Sequence, residues 1–455
     1  MMQPGEATDQ LIAFCSQLTY DAIPQPVIER THDLLIDWMG AALAGRASRA
    51  VHVFERFANT MGPTSGASQT VTGQFRGTSP YFAALVNGAA SHVVEQDDVH
   101  NGAVFHPGTV VIPAALAMAQ AQGASGSTLL LSIVVGYEVG VRIGRFLGQS
   151  HYKTFHTTGT AGTLASAAAG ARILQLDAEG FRQAVGSAGT QAAGLWEFLR
   201  DAADSKQLHT AKAASDGLLA AYAADWGLTA ARQILEGEQA MGRGMSSNVH
   251  PDALIHGLGE RWAILETSLK WHASCRHTHP SADALHHVIK TYNIQPQSIE
   301  AVTAHVHRAA IDVLGPARAA ATPHQAKFSM PFVLSLIALR GHASIDDFND
   351  VSLHDPQIRA FMERVTMVED AEVEAAYPER WIGKITVKTT EGSVVKGHID
   401  APLGDPDNFL SRDQIREKAL RIAHFGDCPP HVVGPAIQRI LQLEHLDTVP
   451  WLWQS

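Results

Sequence analysis

The first part of the chain, up to about residue 260, places its apolar residues with the period of an α-helix. The segment 25–44 shows this most clearly, and Gly45 is a stop signal for the helix it predicts. Its apolar positions are Val27, Leu34, Leu35, Trp38, Met39 and Leu43. Segments rich in alanine and glycine recur at 83–92, 113–123, 160–174, 186–195 and 211–224. Because small side chains let helices approach closely, we predict a tightly packed helical bundle.

Three glycines, Gly136, Gly140 and Gly144, fall four residues apart on one face of a predicted helix. This spacing is also typical of paired membrane helices. Charged residues stand in the same stretch, at Glu138 and Arg142. No uncharged apolar run of about 18 residues occurs, so we predict helix packing within a soluble bundle and no membrane span.

The pattern changes near residue 295. The segment 299–307 alternates and is rich in β-branched residues, which predicts a strand. The segment 381–399 predicts two strands joined by a hairpin at a Glu-Gly pair. Between them, 327–339 is apolar and predicted to be helical, and the tail after Asp413 becomes helical again.

These patterns predict a mainly α fold with two domains. An all-helical domain is expected at 1–267, completed by 403–455, and a smaller α+β domain with an antiparallel sheet at 268–402. The length of 455 residues agrees with two domains, because single cores stop growing at about 250–300 residues.

Composition narrows the functional classes. Apolar residues make up 45% of the chain and the formal charge is −11, which favours an ordered protein and argues against a nucleic-acid partner. The first ten residues carry acids and no apolar stretch, so we expect no signal peptide and a cytoplasmic location. Cys15, Cys275 and Cys428 are far apart. We therefore expect neither disulfides nor an iron–sulfur cluster, which is commonly held by four thiolates.

The densest polar cluster includes Glu95, Asp97, Asp98 and His100, and His106 follows shortly after. It comes directly after a segment rich in alanine, so it is predicted to be a loop. A loop with several titratable groups suits an active site. Two alternatives remain: a metal site built from the Asp and His residues, although no HExxH pair is present, and a solvated acidic loop.

Two further candidates lie at predicted helix starts. His156 precedes a turn with Gly159, and a helix N-terminus offers free N–H groups and a positive dipole end to a carboxylate. Tyr152 lies just before them. Lys206 and His209 open another helix rich in alanine and could bind carboxylates or hold a proton. The alternatives are a structural histidine in the first case and a solvated helix start in the second.

The fourth candidate is the segment 270–280, which includes Lys270, Arg276 and His279. An arginine can bind a carboxylate with two parallel hydrogen bonds. Three histidines within eight residues are also typical of a metal-binding tract. The segment lies where the helical part meets the α+β part, and ligand pockets favour domain interfaces.

Taken in order, these motifs resemble the MmgE/PrpD family along nearly the whole chain. The similar segments are DLLIDWMGAALAG (33–45), ALVNGAASHVVEQDD (84–98), HPG (106–108), FHTTGTAGTLASAAA (155–169), KQLHTAKAA (206–214), CRHTHPSADAL (275–285), AKFSMPF (326–332) and APLGDPDN (401–408). The resemblance implies an all-helical domain with an α+β lid, usually in a homodimer. It also implies chemistry beside a carboxylate of a di- or tricarboxylic acid, without a metal or another cofactor.

By motif position, the family's catalytic and substrate-contacting sites fall on Glu95, His106, His156, Lys206 and His279. Tyr152 stands where an epimerase-type member places a proton-transferring tyrosine. The sequence departs from the family pattern in the first loop, which commonly begins with Asp where Glu95 stands, and in the motif after Lys206, where Ala211 and Lys212 replace Gly and Arg. His277 replaces the commoner tyrosine before Thr-His-Pro.

We expect a lyase whose base is His156 or His106, with the other histidine, Lys206 or Tyr152 as the acid. Dehydration of 2-methylcitrate is the first expectation, because it is the family's commonest activity. An epimerase or decarboxylase of a related acid is the alternative, and a non-catalytic organic-acid-binding protein is a second one. The complete candidate set is catalytic Glu95, Asp97, His106, Tyr152, His156 and Lys206, and substrate-binding Gly159, His209, Lys270, Arg276 and His279.

Overall fold

The structure is a computed structural model, which describes residues 5–73, 75–201 and 203–453. The chain forms two compact units. The first comprises Met1–Thr267 and Ser411–Ser455, and the second comprises Ser268–Leu410. The chain thus leaves the first unit once and returns to it with its C-terminal segment.

The first unit consists mainly of α-helices, in agreement with its apolar periodicity. The predicted segment 25–44 is helical, and its helix ends at Gly45. The helices are α1 (Glu6–Gln17), α2 (Gln25–Gly45), α3 (Arg49–Met61), α4 (Pro80–His92), α5 (Gly108–Gln122), α6 (Gly126–Tyr152), α7 (Thr157–Ile173), α8 (Ala178–Gly189), α9 (Phe198–Asp201), α10 (Ser205–Asp225), α11 (Met241–Met245), α19 (Arg412–Phe425) and α20 (Pro430–Ile440). Short strands that the sequence did not predict are β1 (Ser68–Gln69), β2 (Gly77–Thr78), β3 (Val99–His100) and β4 (Thr267–Ser268).

Small side chains bring the central helices of the first unit into close contact. A Cβ atom on Gly217 of α10 would lie 2.4 Å from Ser166 Cβ on α7. A Cβ atom on Gly88 of α4 would lie 2.9 Å from the carbonyl oxygen of Thr210 on α10. Separations this short leave no room for a side chain in a close-packed interior. The segments rich in alanine and glycine are therefore the contact surfaces of the bundle.

Helix α6 is long and apolar enough to cross a membrane by length and composition. Its most apolar 18-residue window has a mean hydropathy of 1.4, and 89% of that window is buried within the protein. A Cβ atom on Gly136 would lie 2.5 Å from Val111 Cγ1 on α5, and one on Gly140 would lie 2.7 Å from Ala165 Cβ on α7. The regular glycine spacing therefore packs α6 against its neighbours in the bundle, as the charged residues of the same stretch suggested.

The C-terminal segment returns to pack against α2. A Cβ atom on Gly40 of α2 would lie 2.8 Å from the α19 backbone. Two ion pairs also join these helices. Arg412 Nε donates to Asp33 Oδ1 at 2.7 Å near the surface, and Lys418 Nζ donates to Asp37 Oδ1 at 2.6 Å in the interior. The predicted helical tail is therefore part of the first unit's core.

The second unit combines short helices with a four-stranded sheet of order β6-β5-β7-β8. Its strands are β5 (Ile299–Val306), β6 (Val365–Glu369), β7 (Gly383–Thr389) and β8 (Val394–Ile399). Its helices are α12 (His279–Tyr292), α13 (Arg308–Leu314), α14 (Pro323–Ala326), α15 (Met330–Arg340), α16 (Asp350–Leu353), α17 (Pro356–Met362) and α18 (Ala371–Ala376). The predicted strand at 299–307, the hairpin within 381–399 and the helix within 327–339 are all confirmed.

The sheet is mixed: the predicted antiparallel pairing is present between β5, β7 and β8, and β6 adds a parallel strand that was not predicted. Strands β5, β7 and β8 pair antiparallel, whereas β6 pairs parallel to β5 with Val302 opposite Val365. The chain between β5 and β6 contains helices α13 to α17. A long helical crossover of this kind is what a parallel neighbour requires. Three of the five residues of β6 are exposed. Its sequence pattern is therefore too weak to predict an edge strand.

The close approach at Gly140 predicts a clear packing cost. We expect Gly140→Ala to lower the free energy of unfolding by about 1–3 kcal/mol, because the added methyl would meet Phe105 and Ala165. Urea denaturation of the wild type and the variant measures this.

Gly434 of α20 is the matched control, because a Cβ atom there meets nothing within 4 Å. Gly434→Ala should leave stability unchanged or raise it by up to about 1 kcal/mol, the helical advantage of alanine. Equal effects at the two glycines would mean that α6 is not packed as described.

Candidate active site

The polar cluster predicted from the sequence lies on the loop 93–107, between the end of α4 at His92 and the start of α5 at Gly108. Two residues of this loop that are not glycine have left-handed backbone angles, Glu95 with φ 59° and Val104 with φ 44°. Such conformations cost about 1–3 kcal/mol each and concentrate at functional sites. The loop is therefore held in an unfavourable shape by its surroundings.

The carboxylate of Asp97 is the centre of the cluster. Its Oδ2 lies 2.9 Å from His92 Nδ1 and 2.7 Å from His106 Nδ1. His106 Nδ1 is also 2.8 Å from the carbonyl oxygen of Asp98, which can only accept a hydrogen bond. Nδ1 of His106 therefore carries the proton, a tautomer assigned from its partners. This assignment leaves Nε2 as the basic nitrogen of His106.

Exposure and charge distinguish these imidazoles. The side chain of His106 is 13% exposed, whereas His92 and Asp97 are 0% and 1% exposed. Burial lowers the pKa of His92 to about 4, although Asp97 opposes the shift. His92 is therefore neutral at pH 7 and donates its Nδ1–H to Asp97. Of the two imidazoles on Asp97, His106 is the one that a molecule from solvent can reach.

Asp98 anchors the end of the loop to the bundle. Tyr137 Oη donates to its Oδ2 at 2.6 Å, and the N–H of Gly108 donates to its Oδ1 at 2.9 Å. Burial raises the pKa of Asp98 to about 7, and both hydrogen-bond donors oppose the shift. Asp98 thus holds the start of α5, while its neighbour Asp97 faces the histidines.

His156 packs on the same cluster but is fully buried. Its ring stacks on His92 with a centroid separation of 5.7 Å, and its Nδ1 lies 3.2 Å from His209 Nδ1. Trp196 covers it at 4.6 Å. Burial lowers the pKa of His156 well below its usual value, and the neighbouring imidazoles and Lys206 lower it further. Burial likewise lowers the pKa of His209 to about 4, so this pair is neutral at pH 7.

Lys206 lies at the start of α10, as its motif predicts, and pairs with Glu95 in the interior. Their side chains are 4% and 2% exposed. Lys212 points elsewhere, to the carbonyl of Gln191 at 3.0 Å and to Asp216 at 2.6 Å. The structure therefore joins two motifs that are more than a hundred residues apart in sequence.

Tyr152 ends α6, and Gly159 lies in the first turn of α7. The N–H of Gly159 donates to the carbonyl of His156 at 2.8 Å, so it is engaged within the first turn of α7. Gly159 instead permits close approach, because a Cβ atom there would lie 2.5 Å from the carbonyl of Ala193. Tyr152 packs edge-on against Trp196 at 5.2 Å. The indole of Trp196 also packs against His156, so Trp196 connects Tyr152 to the cluster.

His92, Asp97 and His106 form the one group among the described residues with spacing suited to a metal ion, with ligand atoms within 4.8 Å of one another. A ligating imidazole nitrogen must be free of its proton. His106 Nδ1 faces two acceptors, and His92 Nδ1 faces the carboxylate. The geometry therefore suits proton sharing around Asp97 better than metal ligation.

The second unit holds its own polar cluster, made by the segment 270–280 and the motif at 401–408. Arg276 forms a buried ion pair with Asp405 and donates to His279 Nδ1 at 3.3 Å. His279 Nε2 lies 3.3 Å from the carbonyl oxygen of Ser274, which fixes its proton on Nε2. Lys270 is 0% exposed. The three predicted substrate-binding residues are therefore buried, and Arg276 and His279 are joined by a hydrogen bond.

Sequence reasoning did not single out His92, Asp37 and Lys418, three buried polar residues of the first unit. Each left a signal: a polar residue among apolar ones on a helix. His92 ends the alanine-rich α4, and Asp37 lies within the apolar run of α2. Lys418 falls on the buried stripe of α19, three residues after Ile415. A charged residue on a core-facing stripe is rarely buried unless it is paired.

Comparison with known proteins agrees with this architecture. The family model for the MmgE/PrpD N-terminal domain matches residues 9–253, and that for the MmgE/PrpD C-terminal domain matches residues 272–428. The chain belongs to the MmgE/PrpD family. The resemblance inferred from the motifs is thereby confirmed.

Similar proteins include the cis-aconitate decarboxylase-like protein oryM of Aspergillus oryzae, 26% identical over 92% of this chain and 91% of the relative. Human cis-aconitate decarboxylase is 27% identical over 86% of this chain and 82% of the relative. Cis-aconitate decarboxylase of Aspergillus terreus is 25% identical, over 87% and 85%. The three relatives are named as cis-aconitate decarboxylases or as similar to one.

The raised pKa of Asp98 predicts a pH-dependent stability. Its pKa rises from 3.8 to about 7 in the folded protein, so the stability it contributes is full below about pH 4 and is lost as the pH rises through about 7. Asparagine keeps an acceptor for the Gly108 N–H and cannot ionise. We expect Asp98→Asn to gain stability relative to wild type by up to about 1.4 kcal/mol per pH unit between pH 5 and 7.

Urea denaturation at pH 5, 6, 7 and 8 measures the difference in unfolding free energy between the two proteins. The difference should level off above about pH 7. A difference that does not depend on pH would show that Asp98 is ionised throughout this range.

Proposed function

We propose that this protein is a decarboxylase of a small unsaturated tricarboxylic acid, with cis-aconitate as the first candidate. The proposal rests on one observation: the buried carboxylate of Asp97 orients His106. Of the two histidines that contact Asp97, His106 is the more exposed, so its Nε2 is the basic nitrogen nearer to solvent. A carboxylate behind an imidazole stabilises the imidazolium form, which is the form that donates a proton. The names of the relatives support decarboxylation over the dehydration of 2-methylcitrate that we first expected from the family.

The negative charge of the substrate explains how the imidazole that acts as the general acid becomes protonated. His92, His156 and His209 have lowered pKa values because they are buried. A bound tricarboxylate brings negative charge to this cluster, which favours protonated imidazoles. The substrate thus promotes protonation of His106 at Nε2, while its Nδ1–H stays bonded to the carbonyl of Asp98, beside the Asp97 carboxylate.

In the proposed step, the bond between carbon and one carboxylate breaks and CO₂ leaves. The electron pair of that bond passes into the remaining unsaturated acid, whose carboxylates and fixed positive groups stabilise the developing charge. His106 Nε2–H then delivers its proton to carbon, and a proton from water restores the imidazolium. One proton is consumed for each CO₂ released.

Lys206 is the proposed cation for this developing charge. Its ammonium pairs with Glu95, and we propose that it also donates to a substrate carboxylate. The family resemblance also implies carboxylate-binding roles for Arg276, His279 and Lys270, and these roles stay predictions.

The purified protein should be tested with cis-aconitate, 2-methylcitrate, citrate and iminodisuccinate in D₂O, with proton NMR of the products and a CO₂ assay. We expect CO₂ and one deuteron on carbon from cis-aconitate. Loss of water from 2-methylcitrate without CO₂ would instead support the dehydratase. Binding without any turnover would support an organic-acid-binding protein.

The same assay is repeated after dialysis against EDTA. We expect no loss of activity, because the nitrogens around Asp97 are engaged in hydrogen bonds. Activity that is lost and then restored by one divalent ion would assign a metal to His92, Asp97 and His106.

His106→Gln should lower kcat by about 10²–10⁴, the usual contribution of a general acid or base. Its partly exposed side chain predicts little change in stability.

His156→Ala should instead lower stability by about 2–4 kcal/mol, because it empties a fully buried position. Steady-state kinetics and urea denaturation of both variants measure these effects. A normal kcat for His106→Gln would remove His106 from the mechanism.

Lys206→Ala should lower kcat/KM at least about ten- to a hundredfold, since a hydrogen bond to a charged group contributes about 1.5–3 kcal/mol. A loss in kcat itself would indicate that the ammonium acts on the transition state. Lys212→Ala is the control on the same helix, because Lys212 contacts Gln191 and Asp216 instead. Similar small effects from both variants would place the carboxylate site elsewhere.

A further inference from the structure

Lys418 is a fully buried lysine far from the sequence motifs of the site. It lies on α19, in the C-terminal segment, and its side chain is 0% exposed. Its ammonium donates to Asp37 Oδ1 at 2.6 Å and to the carbonyl oxygen of Gln96 at 2.7 Å. A buried ammonium is costly unless it is well paired. The bond to Asp37 pairs the charge of the ammonium. The bond to Gln96 instead connects it to the backbone of the loop 93–107.

The position of Gln96 makes this second bond informative. Gln96 stands between Glu95, which pairs with Lys206, and Asp97, which orients His92 and His106. A hydrogen bond to its carbonyl therefore restrains the backbone at the point from which both acidic side chains project.

The backbone conformation at this point also needs support. Glu95 has φ 59°, which a residue with a side chain keeps only when its surroundings hold it there. The hydrogen bond from the Glu95 N–H to the carbonyl of His92 is long, at 3.4 Å. The bond from Lys418 to the next peptide carbonyl is shorter and is made by a charged donor, the stronger kind of hydrogen bond.

Electrostatic coupling reaches the same carboxylates. Burial raises the pKa of Asp37, Lys418 lowers it again, and the charge of Asp97 raises it further. Asp37, Asp97 and Asp98 thus form a buried acidic group, and Arg30 interacts with Asp37 and Asp98 from another turn of α2. Lys418 supplies a positive charge to this acidic group through its ion pair with Asp37.

We propose that Lys418 is a positioning residue for the reaction: through the Gln96 carbonyl it holds the loop that carries Glu95 and Asp97, with Asp37 as its counter-ion. The inference rests on the proposed function for its kinetic consequence. Its structural consequence, the restraint of the loop, can be measured without any substrate.

The deciding variant is Asp37→Asn combined with Lys418→Met. It replaces a buried ion pair by neutral groups of similar size, a change that often leaves stability intact. It also removes the donor to the Gln96 carbonyl. We expect unfolding close to that of the wild type and a kcat about a hundredfold lower, the scale of a misplaced catalytic group, with most of the loss in kcat and little in KM. Lys418→Met alone should lose stability as well.

Arg412→Met is the matched control. Arg412 joins the same two helices through Asp33, one turn from Asp37, and has no described contact with the loop. Its side chain is 40% exposed. This variant should keep the wild-type kcat. A double variant with the wild-type kcat would show that the buried pair only stabilises the helices, and the proposal would be overturned.

Hydrogen–deuterium exchange of peptides covering 93–100 separates the two hypotheses. Faster exchange in the double variant than in Arg412→Met supports restraint of the loop by Lys418, even if the wild type turns over none of the acids and the proposed function fails. Equal exchange in both variants overturns the restraint, whatever the activity.

Discussion

The carboxylate of Asp97 is the constraint on which the site depends. One oxygen accepts the Nδ1–H of His92, just before the loop 93–107, and lies 2.7 Å from Nδ1 of His106, near the end of that loop. Because both nitrogens are donors there, the tautomer of each histidine is determined and Nε2 of His106 becomes the basic atom. A buried anion of this kind persists only when its acceptors are satisfied and its loop is held.

The helical bundle supplies that support through close approach. Glycine and alanine at the contacts of α4, α7 and α10 bring the helix backbones close enough for Lys206 to reach Glu95 and for His156 to stack on His92. Helix α19, in the returning C-terminal segment, contributes Lys418, which donates to the carbonyl of Gln96 in the loop. Charged groups in the interior are thus paired one by one, as their burial requires.

Several parts of this arrangement could be predicted from the sequence. Helical periodicity located α2, alternation located β5, and the density of titratable residues located the loop with Glu95, Asp97 and His106. The parallel strand β6 was not predicted, because most of its side chains are partly or fully exposed and give no period of two. The free N–H predicted at Gly159 is used inside its own helix, a detail that spacing alone does not reveal.

By itself, the sequence determined the mainly helical class, the β-hairpin of the second unit and the family. It also determined which residue types are available for acid and base chemistry. These follow from local periodicity and from motifs in order along the chain. Only the tertiary structure decided which partners meet: Asp97 with His92 and His106, Lys206 with Glu95, and Lys418 with Gln96. Asp97 is close to both histidines in sequence, but the conformation of the loop decides that they meet. The pairs of Lys206 and Lys418 join residues 111 and 322 positions apart and are set by helix packing. Because hydrogen bonds act over about 3 Å, no local pattern encodes such pairs.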